Sequence, residues 1–579
     1  MNDKSFEKYF QNELSNVRTL AKEFSNEHPA VAPLLSANSS DPDAQRLLEG
    51  VAFLTGLLNK KLDDEFPEVI HGLMNILFPH YLRPIPAISI VEFYPKPSLR
   101  EMLKVNKGTI INSKPVDDVE CRFTTMFDFK LYPIELKKSS YTLEENNKTS
   151  LTLDISSKNA ELSSLNLNEL NFYLSDSYTN SSNLFMLLEA YLENIYLEVD
   201  NGELIKLGSD ALECDGFNTK NSLFSYPKNS FTGYRILQEY FVLPQKFFFF
   251  KLKGLEKLKK YQNLNNFRVV FRFKDSLVKM DSIAQDSIKL FCTPVNNLFD
   301  TQAEPVTLTH KKELIHIYPQ LRYKDNYQVY DIKNITGYVQ GEVGVKQYYP
   351  FESFQRENNN QNIYQVYRKI SIVNAKEEIY IGLHYSDELP TKKEVLSIDI
   401  SCTNGLTPER LQLGEICESS DNSPELATFK NIISPTMQID SPVNENSLWQ
   451  FISHLSVNLL TLADIKTFKE MLKLYMFANN RDKVKVAKNQ KRIDAIDSFE
   501  IEPVDRVSRG YLLKGHKVRM KVRQDYFASL GDMYLFCSVI LSFLSNYAAL
   551  NTFVELEVEE KITGESLSWT PVLGNKKLI

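Results

Sequence analysis

The hydrophobic period of this chain changes abruptly between residues 77 and 88, and that change limits what can form on either side. Asp41-Pro42 opens a helix, with aspartate at the N-cap and proline at the first helical position. Leu47, Val51, Leu54, Leu58 and Leu62 then recur at spacings of three and four, on one face. Leu48, Ala52 and Leu57 widen that stripe, so the helix has room for more than one packing partner. Asp63-Asp64-Glu65-Phe66-Pro67 ends it. A second helix starts at Pro67, carries Ile70, Leu73, Met74 and Leu77, and must stop before Pro79. His80-Tyr81-Leu82-Arg83-Pro84-Ile85-Pro86 is a stiff connector, and Ile88 to Phe93 alternates as a strand.

Upstream, Phe6, Phe10, Leu14, Val17, Ala21 and Phe24 give the opening segment a helical face that ends near His28-Pro29. Residues 1–87 therefore read as an all-helical unit. Its helices can close on themselves as a small bundle, or pack with helices of another chain; periodicity alone leaves both open.

From Ile88 to about Gln320 short alternating runs are broken by Gly, Pro and Asn, as in β-sheet domains. Strands are expected at Gly108–Ile111, Cys121–Thr125 and Phe127–Leu136. Ser139 to Leu170 reads as a long hairpin or a surface loop. Gly233 to Phe247 begins as a helix with Ile236 and Tyr240 on one side, ended by Pro244. Leu290 to Phe299 reads as a strand running into a Pro/Asn turn. A second β-rich unit spans 321–425, with strands at Ile379–Tyr385 and Val395–Cys402. Glu418 to Ser447 is loop-like and marks the last boundary. The C-terminal part, 426–579, combines a helix at Ile465–Phe477, a strand at Val518–Val522, a buried helix at Tyr534–Leu550 and a strand from Asn551 to Glu557, which suggests an α/β domain. The fold class is thus multidomain α+β: a helical N-terminal unit, β-rich middle domains and a C-terminal α/β domain.

Composition removes several functions. A net charge of −7 with both signs intermixed argues against a dedicated nucleic-acid binder. The six cysteines are scattered without CxxC spacing, as expected of reduced thiols in a cytosolic protein. The opening 24 residues are charged and amphipathic rather than apolar, unlike a signal peptide. The most apolar helix, Met533 to Leu544, is too short to span a bilayer.

Catalytic motifs are missing as well. Gly337, Gly341 and Gly344 lack phosphate-loop spacing and a following Gly-Lys-Ser/Thr, so they read as turn glycines. Asp63, Asp64 and Glu65 point in different directions at a helix end, with no histidine at ligand spacing; punctuation of the helix, with Arg83 as a basic partner, is the simpler reading. Neighbouring Ser453-His454 cannot readily form a nucleophile–base pair, and no GxSxG elbow exists. The one basic run is Arg481, Lys483, Lys485, Lys488, Lys491 and Arg492. Without interleaved aromatics it reads as an exposed loop or a rim that meets an acidic partner. The chain is expected to be no enzyme and to need no cofactor or metal.

The strings LLEGVAFL, LDDEFPE and FPHYLRPIP, in that order and close together, resemble the N-terminal signature of the TssF (VasA/ImpG) family of type VI secretion baseplate subunits. Further similar strings are GYRILQEYFVLPQKF at 233–247, LFCTPVNNLF at 290–299, CTNGL at 402–406 and LWQFISHLSVNLL at 448–460, so the resemblance runs essentially end to end. One departure is Trp569-Thr570-Pro571-Val572, which lacks the basic residue expected after the proline.

The resemblance implies a structural wedge component of a cytoplasmic baseplate docked at the inner face of the cell envelope. Such a wedge nucleates tail sheath and tube assembly and holds a ring around the spike until contraction. Implied partners are TssG, a second copy of the chain, TssK, TssE and the VgrG spike hub, with no nucleic acid and no membrane insertion. It also favours the intermolecular bundle for residues 1–87. The candidate partner-interface residues are then Phe6, Phe10, Leu14 and Val17; Leu47, Val51, Leu54 and Leu58; Asp63, Asp64, Glu65 and Phe66; and His80, Tyr81 and Arg83. The alternatives are the equivalent wedge protein of a phage tail or other contractile injection system, and a cytosolic enzyme with an unrecognised pocket.

Overall fold

The computed structural model of the chain divides into two units, residues 1–79 with 443–452, and residues 80–442 with 453–579. The described residues are 11, 14, 17, 46–55 and 80–574, apart from 144–147, 158–159, 201, 225, 227–231, 262–263, 279, 281, 309–312, 342–343, 352–361, 372–376, 385–392, 442–462, 478–480 and 509. In the first unit Gln11, Leu14 and Val17 are helical, and residues 46–55 form a helix within the segment whose periodicity predicts one.

The second unit is a mixed α+β body organised on the strand Ile88–Pro95, whose first six residues are buried. Cys292–Asn296 pairs with it antiparallel on one edge, and Ala427–Asn431 on the other. Arg122–Thr125, Ile110–Ser113 and Ile416–Ser419 complete a six-stranded sheet. Two expectations are corrected here. Glu418–Ser447 is not all loop: it contains Ala427–Asn431, whose alternating Ala427, Phe429 and Asn431 are buried. Pro294 stands inside a strand rather than in a turn. It lies where pairing with Arg122–Thr125 ends, so its missing N–H interrupts no continuing ladder, while its carbonyl accepts from Met126 N at 2.9 Å.

The stretch expected as one strand from Phe127 to Leu136 is split at Tyr132-Pro133 into Phe129–Leu131 and Ile134–Leu143. Ile134–Leu143 forms a hairpin with Thr149–Ser157, within a five-stranded sheet. A further sheet of eight strands lies between Phe299 and Thr403. All its pairs are antiparallel except Val345–Pro350 with Asn362–Ile370. Its two edge strands are joined through an Ala303–Pro319 bridge, so the sheet curls back around Ile335, Tyr348, Ile381, Leu396, Ile398 and Ile400.

Helices of the body are α1 (Tyr178–Ala190), α2 (Thr232–Val242), α3 (Ile465–Tyr475), α4 (Lys483–Asp494) and α5 (Leu530–Tyr547). The first falls in a region expected to be β-rich. Pro244 follows α2 as its sequence predicts. Buried over almost its whole length, α5 is a core helix; it carries the chain between the parallel strands Tyr511–Val522 and Thr552–Glu560, the α/β element expected here. Among the described residues no helix is long and apolar enough to cross a membrane. Ser529 caps α5, its hydroxyl accepting from Asp532 N at 3.2 Å. Phe185 of α1 and Tyr240 of α2 meet Tyr534 and Phe536 of α5, with ring centroids 6.2 and 5.8 Å apart. Gly531 brings α5 so close to α1 that a Cβ there would overlap the carbonyl of Ser182.

The connector that opens the body is built into it. Tyr81 is buried against Tyr475 and Phe477, both with centroids 6.0 Å away, and its hydroxyl donates to the Leu474 carbonyl at 3.4 Å. Arg83 pairs with Asp331 at 2.6 Å and lies 5.7 Å from the Tyr330 ring. Ile85 exchanges two backbone hydrogen bonds with Ile439, at 2.7 and 3.0 Å. His80 is buried beside the ring of Tyr226. Burial, and then the Arg83 guanidinium, lower its pKa from 6.5 to about 3.

Two predictions follow from this packing. Gly531→Ala should destabilise the body by about 1–3 kcal/mol, because two helix backbones must separate; a lower urea midpoint at unchanged slope would show it. His80 stays neutral when folded, whereas the unfolded chain takes up a proton near pH 6.5. Its contribution is therefore present above pH 6.5 and lost as pH falls towards 3, with about 2 kcal/mol lost between pH 6.5 and 5. Urea titrations of the parent and His80→Gln across that window should differ in slope by about one proton.

Candidate assembly interface

The described part of the first unit presents an apolar surface to solvent. On the helix at residues 46–55, Leu47 and Leu54 are 70 % and 62 % exposed, and Val51 and Phe53 are 42 % and 46 % exposed, while Ala52 is buried. Leu47, Val51 and Leu54 lie at i, i+4 and i+7, a single stripe along one face. Fully burying one such side chain yields roughly 1.5–3 kcal/mol, so an uncovered row of them is a strong site for association. Leu14 is buried and Val17 half-buried. Phe6, Phe10, Leu58, Asp63, Asp64, Glu65 and Phe66 lie outside the described residues. His80, Tyr81 and Arg83 are packed within the body, and the basic partner suggested for Asp63–Glu65 is engaged with Asp331.

The basic run forms a second surface, and it is not a loop. Asp482 caps α4, its carboxylate accepting from Lys485 N at 3.0 Å, and the residues that follow are good helix formers without Gly or Pro. Arg492 turns inward. Its guanidinium donates to both carboxylate oxygens of Asp532 at 3.0 and 3.1 Å, to the Tyr178 hydroxyl at 3.0 Å, and to Asn489 at 3.1 Å. This buried pair locks α4 to the starts of α5 and α1. Nothing in the sequence spacing linked Arg492 to Asp532.

Beside this network is a cleft of about 580 Å³. Lys485 lies along it with its amine donating to the Val242 carbonyl, and burial lowers its pKa to about 8. Lys488 and Lys491, also on the cleft, are exposed.

Among the described residues no group of three or more His, Cys, Asp or Glu could hold a metal. All six cysteines are free thiols. Burial pushes Cys121 and Cys402 up to about 12, so neither is a thiolate nucleophile at neutral pH.

The sequence matches the family described as "Type VI secretion system, TssF" over residues 2–576. It is 25% identical, over an alignment 617 positions long, to the type VI secretion system component TssF1 of Pseudomonas aeruginosa, covering 98% of each chain. A chain in the cryo-electron microscopy structure of the type VI secretion TssK-TssF-TssG baseplate subcomplex superposes with a TM-score of 0.79 at 26% identity, over 92% of this chain and 99% of that one. A chain of a type VI secretion baseplate complex gives 0.62 at 25% identity, over 99% and 100%. End to end, this chain belongs to the TssF family of type VI secretion system proteins.

Proposed function

We propose that this chain is a structural, non-enzymatic wedge component of a cytoplasmic type VI secretion baseplate, assembling with TssG and TssK. The observation that carries this reading is the end-to-end likeness to a chain of a TssK-TssF-TssG subcomplex. In this proposal residues 1–87 are the wedge junction, and the stripe Leu47, Val51 and Leu54 is the part of it that packs against helices of TssG or of a second copy of this chain. The β-rich regions bridge to the rest of the ring, where TssE and the VgrG spike hub are further neighbours. The assembled ring nucleates sheath and tube growth and stays closed around the spike until contraction.

The physical logic is that of an obligate interface. A helix with a long apolar row gains most of its stability by docking rather than by propensity. The body, with its own sheets and buried α5, supplies a rigid frame that such docking can position. The full chain with Leu47→Asp, Val51→Asp and Leu54→Asp together should keep the near-ultraviolet circular dichroism of the body. Its affinity for cognate TssG should fall at least about 100-fold, read by co-purification and complex mass. A complex of unchanged mass and yield would refute the role given to the stripe, and failure of the parent chain to bind TssG would refute the assembly reading itself.

A further inference from the structure

The cleft beside α4 has features that wedge assembly through the N-terminal helices does not use. One wall is apolar, from Leu243 and Pro244 after α2, Ile433 after the central sheet's edge strand, and Val484 and Phe527. Val484 is 66 % exposed although it faces this cleft. One rim is cationic: Lys485, Lys488 and Lys491 follow one another at spacings of three along α4, which makes successive members neighbours on the helix surface.

The carboxylates of the lining already have work. Asp532 neutralises Arg492 at 3.0 Å, Asp525 pairs with Arg523 at 2.7 Å, and Asp482 caps α4. The rim lysines therefore give the cleft an excess of positive charge in a chain whose net charge is −7. The wall behind them does not yield, because Arg492 and Asn489 are buried; Asn489 donates to the Phe241 carbonyl at 3.1 Å and so ties α4 to α2. A preformed hollow of this size with an apolar wall and a cationic rim suits an extended peptide better than a flat protein face.

We infer that this cleft docks an acidic segment of a neighbouring baseplate protein, seating an apolar side chain on the Leu243, Ile433 and Phe527 wall with flanking Asp or Glu carboxylates on Lys488 and Lys491. The inference rests on the assembly reading above and names a second contact for it, on the body rather than on the N-terminal helices. Charge complementarity at such a rim sets association rate and salt dependence as well as affinity.

The test uses the full chain purified in complex with cognate TssG and TssK. A zero-length carbodiimide reagent joins lysine amines only to carboxylates in direct contact, and mass spectrometry of the digest locates the joins. Lys488 or Lys491 should be joined to an Asp or Glu of a partner. Lys488→Glu with Lys491→Glu, both exposed and harmless to folding, should weaken partner binding about tenfold at low salt. The same variant should flatten the salt dependence that the parent shows between 0.05 and 0.5 M sodium chloride, both concentrations chosen around the ~10 Å screening length at 0.1 M. Reversing the charge of the cross-linked partner carboxylate should restore binding. An intact complex in which these lysines join no partner carboxylate, or in which the double variant binds with unchanged affinity and salt dependence, overturns the docking inference alone. Absence of any complex with the parent chain overturns the assembly reading and this inference together.

Discussion

Pairing of the strand Ile88–Pro95 on both edges is the constraint on which the body depends. Its partners, Cys292–Asn296 and Ala427–Asn431, lie far along the chain, so the central sheet is complete only when everything between has been accommodated. The five-stranded sheet and α1 and α2 are excursions between the first two of these strands, and the curled eight-stranded sheet is an excursion between the second and third. Such non-local closure is entropically expensive and slow, and burial of the six residues Ile88 to Phe93 on both faces is what offsets it. The connector adds to the same anchor: Tyr81 enters the aromatic cluster of Tyr475 and Phe477, Arg83 ties to Asp331 of the curled sheet, and Ile85 pairs with Ile439. Whatever pulls on the N-terminal unit pulls on a chain fixed at three points.

This gives the two units different physical jobs. In the body, polar groups are committed internally, as in the buried Arg492–Asp532 pair and the Lys246–Glu239 pair, both of which would be costly to break one partner at a time. In the N-terminal unit the described helix leaves leucine, valine and phenylalanine uncovered. Stability concentrated in one part and unsatisfied apolar surface in another is the arrangement expected of a scaffold whose fold is completed by its neighbours.

Much of this was legible in the sequence where local rules and tertiary packing agree. The Leu47, Val51 and Leu54 spacing, the alternation at Ile88 and the proline after Val242 each named an element that the described structure contains, while Asp41-Pro42 lies outside the described residues. Legibility ended where a long-range partner decides. Ala427–Asn431 is short and flanked by Ser, Asn and Pro, so only its pairing with Ile88–Pro95 makes it a strand. The basic run hid a helix because its polarity suppressed the periodic signal, and only Asn489, Arg492 and Ile493 are buried along it. Buried charges such as Lys246 and Arg492 look like any surface lysine or arginine until Glu239 and Asp532 are brought to them. Of the candidate interface, the Leu47–Val51–Leu54 stripe could be read from periodicity, its exposure could not, and His80, Tyr81 and Arg83 revealed their internal packing only in three dimensions.

The central claim is that assembly covers the N-terminal stripe while leaving the central sheet of the body as it is. Hydrogen exchange of the full chain, alone and in complex with cognate TssG and TssK, measures both halves of that statement in one experiment. The account predicts that amides of residues 46–55 gain protection in the complex, while those of Ile88–Pro95 are strongly protected in both states. Equal exchange of residues 46–55 with and without the partners would contradict it.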